Sequence, residues 1–282
     1  MPKVTGSVSA GFTRDAGRGV TRLEPHYQTY PLKIAKTFDF GGQLGVYLMD
    51  ASPGIIAGDR YELDFRFGEG TKVFLTNQSY TKVHPSRRVE GEELRPGGQR
   101  QRLILENGAY AEVMPEPLML YKDAHFSSET DIGMAAGSSL FLSEIVCPGR
   151  THRGELFQYD TYRNRMEVTY DGELIFSARQ RVVPGRRRFQ GLGGWDRYTH
   201  LGSLYLFTGR LTAEHGELLR ERLEAWAPSS SGLWAGASLG YKHAVTVSVM
   251  GERVYQIQRV LEEAWALLRR ELFELAPLAV PK

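Results

Sequence analysis

Cysteine is almost missing from this chain: 282 residues hold one, Cys147, so no internal disulfide can form and a reducing, cytoplasmic setting is expected. Histidine is thin as well. The seven histidines are scattered, and no two stand at i,i+2 or i,i+4. With no CxxC and no HExxH, a closed zinc-type cage is not expected. Net charge is only +2, too little to argue for a polyanionic partner such as nucleic acid. Long apolar runs are lacking too. The uncharged stretch 132–143 falls well short of the ~20 residues that span a bilayer, and the N-terminus MPKVTGSVSAGFTRD has no apolar core of a secretory signal. No phosphate loop is present either. Gly68-Glu69-Gly70-Thr71-Lys72 is too short and runs into a strand pattern, where a phosphate loop needs a helix. No nucleophile elbow is read, and a Ser/His/Asp site could be assembled only from distant residues. The expectation is a protein that is not an enzyme.

What the chain does have is glycine, 31 of them, with 13 Phe and 14 Tyr. That mixture favours short strands and tight turns. Val4, Gly6, Val8, Ala10 and Phe12 alternate as one face of a strand. Further strands are predicted at Leu44–Leu48, Tyr61–Phe67, Lys72–Thr76, Arg102–Leu105, Tyr110–Met114 and Ser139–Ile145. Others follow at Leu156–Tyr162, Arg165–Tyr170 and Glu173–Ala178. Glu69-Gly70, Asn107-Gly108 and Asp171-Gly172 read as turns between them. The segments FGEGTKVFLTNQ, LENGAYAEVMPE and MAAGSSLFLSEI share a pattern of strand, glycine turn, small residue and strand. Such units stack into a sandwich or an irregular β-solenoid.

After an Arg- and Gly-rich loop at 184–200 the pattern changes. Thr212 can cap a helix to about Trp226, with Leu219, Leu223 and Trp226 on one face. APSSSG breaks it, and a strand follows at Ala244–Met250. A longer helix spans about Tyr255 to Leu275, closed by Pro277. Its broad stripe of Ile257, Leu261, Ala264, Trp265, Leu268 and Leu272 suits core packing, with surplus apolar area that could meet a partner. The fold class is mainly β (α+β): one domain over 1–282, β-rich to about 205, with helix–strand–helix at 212–275 packed on it. The arginines at 186–188 and around 87–102 read as solvated or partner-facing loops. Exposed Trp195 and Tyr198 leave open a carbohydrate-binding module.

Six ordered blocks carry a resemblance. PGIIAGDRYELDF (53–65), LTNQSYTKVHPS (75–86), AEVMPEPLMLYKDAHF (111–126), LSEIVCPGRTHRGELF (142–157), GLWAGASLGYKHAVTV (232–247) and QRVLEEAWALLR (258–269) are similar, in order and spacing, to the UreD/UreH family of urease accessory proteins. The resemblance implies a maturation factor that binds UreF and, through it, the GTPase UreG, docks on apo-urease, and lets nickel pass through an internal tunnel. It also implies a possible homodimer of accessory complexes. No tightly bound cofactor is expected, only transient Ni2+.

Carried through the matched blocks, the tunnel positions fall on Asp59, Thr81, Lys82 and Glu144, and Ala178 stands where some relatives have a further acid. Asp59 could equally brace its own turn, and Gly54 and Gly58 read as backbone requirements. Glu144 is the unusual residue, a carboxylate inside an apolar run, which needs a partner if buried; Arg150 and Arg153 are the nearby candidates in sequence. Cys147 and His152 are weak metal candidates, the plainer expectation being a buried thiol and a surface imidazole.

Overall fold

The glycine turns at Gly70, Gly108 and Gly137 stack on one another. All three take positive φ (62°, 65° and 75°), a conformation that costs glycine little. The Gly70 N–H donates to the Asn107 carbonyl at 3.0 Å, and those of Tyr110 and Ser139 donate to Thr71 and Ala109 at 2.8 Å. The strands leaving the turns, Lys72–Asn77, Tyr110–Val113 and Ser139–Cys147, pair in parallel with Tyr110 opposite both Lys72 and Ser139. The repeated segments are therefore successive rungs of one irregular solenoid. The computed structural model that shows this describes residues 4–86, 95–186, 191 and 194–280.

Each rung enters on one sheet, passes a glycine turn and leaves on the other. The first sheet has eight strands. In it Gly6–Arg14, Arg60–Phe67, Gly97–Leu105, His125–Met134 and Thr161–Tyr170 run parallel. Glu173–Val182 closes it as a hairpin through Asp171-Gly172, both at positive φ, as a two-residue type I′ turn requires. The second sheet has ten strands. Leu44–Asp50 joins the three rung strands in parallel, and His200–Thr208, Ala244–Gly251 and Trp234–Leu239 extend the sheet antiparallel.

Two cores result. Between the sheets lie Phe12, Phe65, Phe67, Leu103, Leu105, Leu140 and Met166, among others. The outer face of the second sheet carries Phe74, Phe141, Leu206 and Val247, covered by helix α1 (Ala213–Trp226) and helix α2 (Val254–Phe273). The second sheet is thus buried on both faces, and its strands read as continuous apolar runs rather than alternations. Thr212 stands at the N-cap of α1, its N–H donating to His215 Nδ1 at 3.2 Å. All six apolar stripe residues of α2 are buried, so the stripe serves the core. The helix ends at Phe273, before Pro277, because Glu274 turns left-handed (φ 55°) and its N–H closes the last turn.

Some expectations fail. Leu156–Tyr162 is not a strand until Thr161. The chain first makes a 3-10 turn at Thr151–Arg153, and Phe157 takes φ 52° with its N–H on the Pro148 carbonyl, which breaks any ladder. The loop at 184–200 is not wholly exposed: Thr199 and His200 are buried and His200 opens a strand. Of the arginines read as solvated or partner-facing, Arg87, Arg88, Arg187 and Arg188 lie outside the described residues.

Candidate functional site

The sandwich interior is incompletely packed. Where the sheets could meet in aliphatic contact, the rung strands instead turn Gln99, Gln101, Ser128 and Thr130 inward, around a cavity of about 160 Å³. Asp50 and Tyr61 also line it. Asp50 accepts hydrogen bonds from Ser52 Oγ at 2.6 Å and from the Tyr61 hydroxyl at 3.2 Å, and burial pushes the Tyr61 hydroxyl pKa up. Gly54, Thr81, Lys82 and Glu144 belong to the same lining. Thr81 Oγ1 accepts from Asn77 Nδ2 at 3.3 Å.

A second cavity, about 210 Å³, lies beyond and is lined by Asn164, Ala178, Gln180, Ser203 and Tyr205. Glu144, Val146 and Tyr162 line both. Glu144 therefore stands in the partition. It comes from Ser139–Cys147, where Leu142 and Val146 on either side face the sandwich core and fix its direction by alternation.

Its partners are neutral. Asn164 Nδ2 donates to Oε1 at 3.1 Å and to Oε2 at 3.3 Å, and Tyr205 is within hydrogen-bond reach. Neither Arg150 nor Arg153 reaches it; Arg150 Nε bonds Glu155 at 2.8 Å instead. Burial without a cation pushes the Glu144 pKa up to about 7, against the lowering effect of Asn164 and Tyr205. Burial also raises the hydroxyls of Tyr162 and Tyr205, so both stay protonated at neutral pH. Asn164 Oδ1 is buried and accepts no hydrogen bond. A carboxylate close to its titration midpoint and an unengaged amide oxygen can hold a hydrated cation weakly and let it go.

Asp59 is not part of either lining. Its Oδ2 accepts from the Ile56 N–H at 2.9 Å, bracing the turn, while its charge acts on Tyr61, which does line the first cavity. Gly54 (φ 134°) passes so close to Lys82 that a Cβ would stand 2.4 Å from the Lys82 carbonyl oxygen; Gly58 has φ 83°. Cys147 is buried at the end of its strand, its thiol pushed up to about 12 by burial, and His152 is exposed. Among the described residues no three His, Cys, Asp or Glu side chains group as a metal site. Trp195 and Tyr198 are half-buried rather than exposed, Trp195 packing edge-on against Phe157 at 5.6 Å.

One pattern escaped the sequence reading. Gly236-Ala237-Ser238-Leu239-Gly240 spells G-x-S-x-G. It runs along the edge strand Trp234–Leu239 and leads to another strand, not into the helix that makes an elbow. Glu112 and Asn164 were also unread; neither differs in sequence from an ordinary polar strand residue.

A family model described as UreD urease accessory protein matches residues 4–281. The urease accessory protein UreD of Acetivibrio thermocellus is 30% identical over 86% of this chain and 90% of the relative. That of Halalkalibacterium halodurans is 28% identical over 95% and 91%. The urease accessory protein UreH of Helicobacter hepaticus is 27% identical over 69% and 75%.

Proposed function

Because the chain belongs to the UreD family of urease accessory proteins, we propose that it acts in urease maturation as a scaffold and passage for nickel, doing no covalent chemistry itself. The observation that carries the passage is the place of Glu144, in the partition between two cavities that both have polar groups on their walls, and without a cationic partner. Nickel is the cargo. A conduit must bind an ion well enough to admit it and weakly enough to release it, and affinity alone does not single out nickel among divalent ions. Oxygen and amide groups on the cavity walls meet that demand better than thiolates.

In this reading Glu144 receives the hydrated ion and Asn164 Oδ1 supports it on the far side. Thr81 is a polar wall, and Lys82 orients carboxylates near the opening. Asp59 adds negative charge at the approach, through a turn it also braces. Ala178 in the second cavity breaks the acidic relay, so water must carry the ion's shell there. UreF is the direct partner, with UreG joined through it and apo-urease as the recipient. An interface of roughly 1,200 Å² or more is needed for a stable complex. Since the α2 stripe is spent on the core, UreF must use another surface. No helix among the described residues is long and apolar enough to cross a membrane, and a cytoplasmic site of action is part of the proposal.

The test is urease activation in cells with limiting nickel. Asp59→Ala/Glu144→Ala should still form the complex with UreF and lower the nickel content of urease several-fold. Wild-type activation by that variant ends the conduit. Failure of the wild-type chain to bind UreF ends the scaffold.

A further inference from the structure

The outer face of the first sheet carries its charges in rows across the strands. In one row the register aligns Glu62, Arg100, Glu129, Arg165 and Arg179; in the next it aligns Asp64, Arg102, Asp131 and Glu167. These rows neutralise one another. Arg165 pairs with Asp131 at 2.8 Å and Glu167 at 2.9 Å, Arg100 with Asp131 at 3.1 Å, and Arg179 with Glu167 at 3.0 Å. The row on the other side of Glu62 and Glu129 is different. It aligns Arg60, Gly98, Ser127, Arg163 and Arg181 and contains no acid.

Arg60 is neutralised along its own strand by Glu62 at 3.1 Å. Arg163 and Arg181 are not: both are exposed, stand directly opposite each other, and have no ion pair among the described residues. Like charges facing across a ladder destabilise it. Beside them Ser127 offers a hydroxyl, and Gly98 leaves the next strand bare. Ser127, Arg163 and Arg181 border a groove of about 310 Å³, whose other wall carries Glu129, Arg165 and Arg179.

We infer that this row docks a carboxylate-bearing face of a protein partner, which supplies the acids the row lacks. Two guanidiniums and a hydroxyl, on three adjacent strands spaced ~4.8 Å apart, match two or three carboxylates on one strand or helix. A polyphosphate fits worse. Only two cations are uncompensated, too few to track an extended anionic backbone. The assignment rests on the reading of the chain as a docking scaffold.

The test measures binding of the full chain to UreF and to apo-urease at low and moderate salt. Arg163→Glu/Arg181→Glu should weaken at least one of the two at least ten-fold and flatten its salt dependence, whereas Arg102→Glu should change either less than two-fold. Arg181→Glu alone places an acid opposite Arg163, so it should fold at least as stably as wild type while still losing affinity. If the wild-type chain binds both proteins and the double variant binds them equally well, the docking row is wrong and the scaffold stands. If the wild-type chain binds neither, both fall. Loss in the double variant of retention on duplex DNA, with affinity for both proteins kept, also overturns the assignment.

Discussion

Two glutamates in neighbouring strands of the second sheet meet opposite fates. Glu112, in Tyr110–Val113, points outward beneath α2 and is fully buried. Arg269 pairs with it, Trp265 Nε1 donates to it at 3.0 Å, Gln43 Nε2 at 2.7 Å, and the Tyr110 hydroxyl joins them. Glu144, in the next strand, points inward, is half-buried, and has only an amide and a phenol. The difference separates a structural carboxylate from an available one. The first is saturated with donors and locks helix to sheet. The second is kept free of cations between two cavities, which suits a group that must exchange ligands.

The comparison can be broken from either side. Arg269→Ala strips Glu112 of its counter-charge and should cost about 3–5 kcal/mol, read from chemical denaturation. Next comes the titration of Glu144. Its folded pKa of about 7 lies above the ordinary carboxylate value of 4.5, so the folded state holds the proton more tightly. The cost of ionising it is fully present above pH 7 and fades as pH falls toward 4.5. Glu144→Gln removes that cost. The variant should exceed wild type in stability above pH 7 by up to about 3 kcal/mol, and the gap should close near pH 4.5.

His200 works with the opposite sign. Burial lowers its pKa to about 4, so below about pH 6.5 it withdraws stability from wild type and variant alike. The difference between the two curves therefore isolates Glu144.

Gly202 sharpens the helix side. A Cβ there would stand 2.3 Å from Ile257 Cγ2 and 3.0 Å from Leu261 Cδ1, so Gly202→Ala should cost about 1–3 kcal/mol in thermal or denaturant melts by prying α2 off its sheet. The smallest effect is expected at Asp59. Asp59→Ala loses the Ile56 hydrogen bond, about 1 kcal/mol, and should lower activation under scarce nickel less than Glu144→Ala does.

The sequence was most legible where packing is complete. Both helices and the three glycine rungs follow from periodicity and turn chemistry, and Glu144 stood out as an acid within LFLSEIV. Legibility failed where the cavity begins. His125–Met134 went unread as a strand because two of its inward positions are Ser128 and Thr130, which line the cavity and dilute the apolar alternation. Gly97–Leu105 was read only from Arg102 onward for the same reason, since Gln99 and Gln101 face the cavity. His200–Thr208 was missed because both its faces are buried, which erases alternation altogether. Asn164 and Tyr205 reach Glu144 only through the meeting of separate strands, a fact of topology that no local pattern encodes.

Nickel loading of urease, measured per active site under metal limitation in cells carrying Glu144→Gln or Glu144→Leu, tests the passage most directly. Nickel content several-fold below wild type, with the accessory complex intact and Asp59→Asn near wild type, is the result this account predicts. Full nickel occupancy with the leucine in the partition would contradict it.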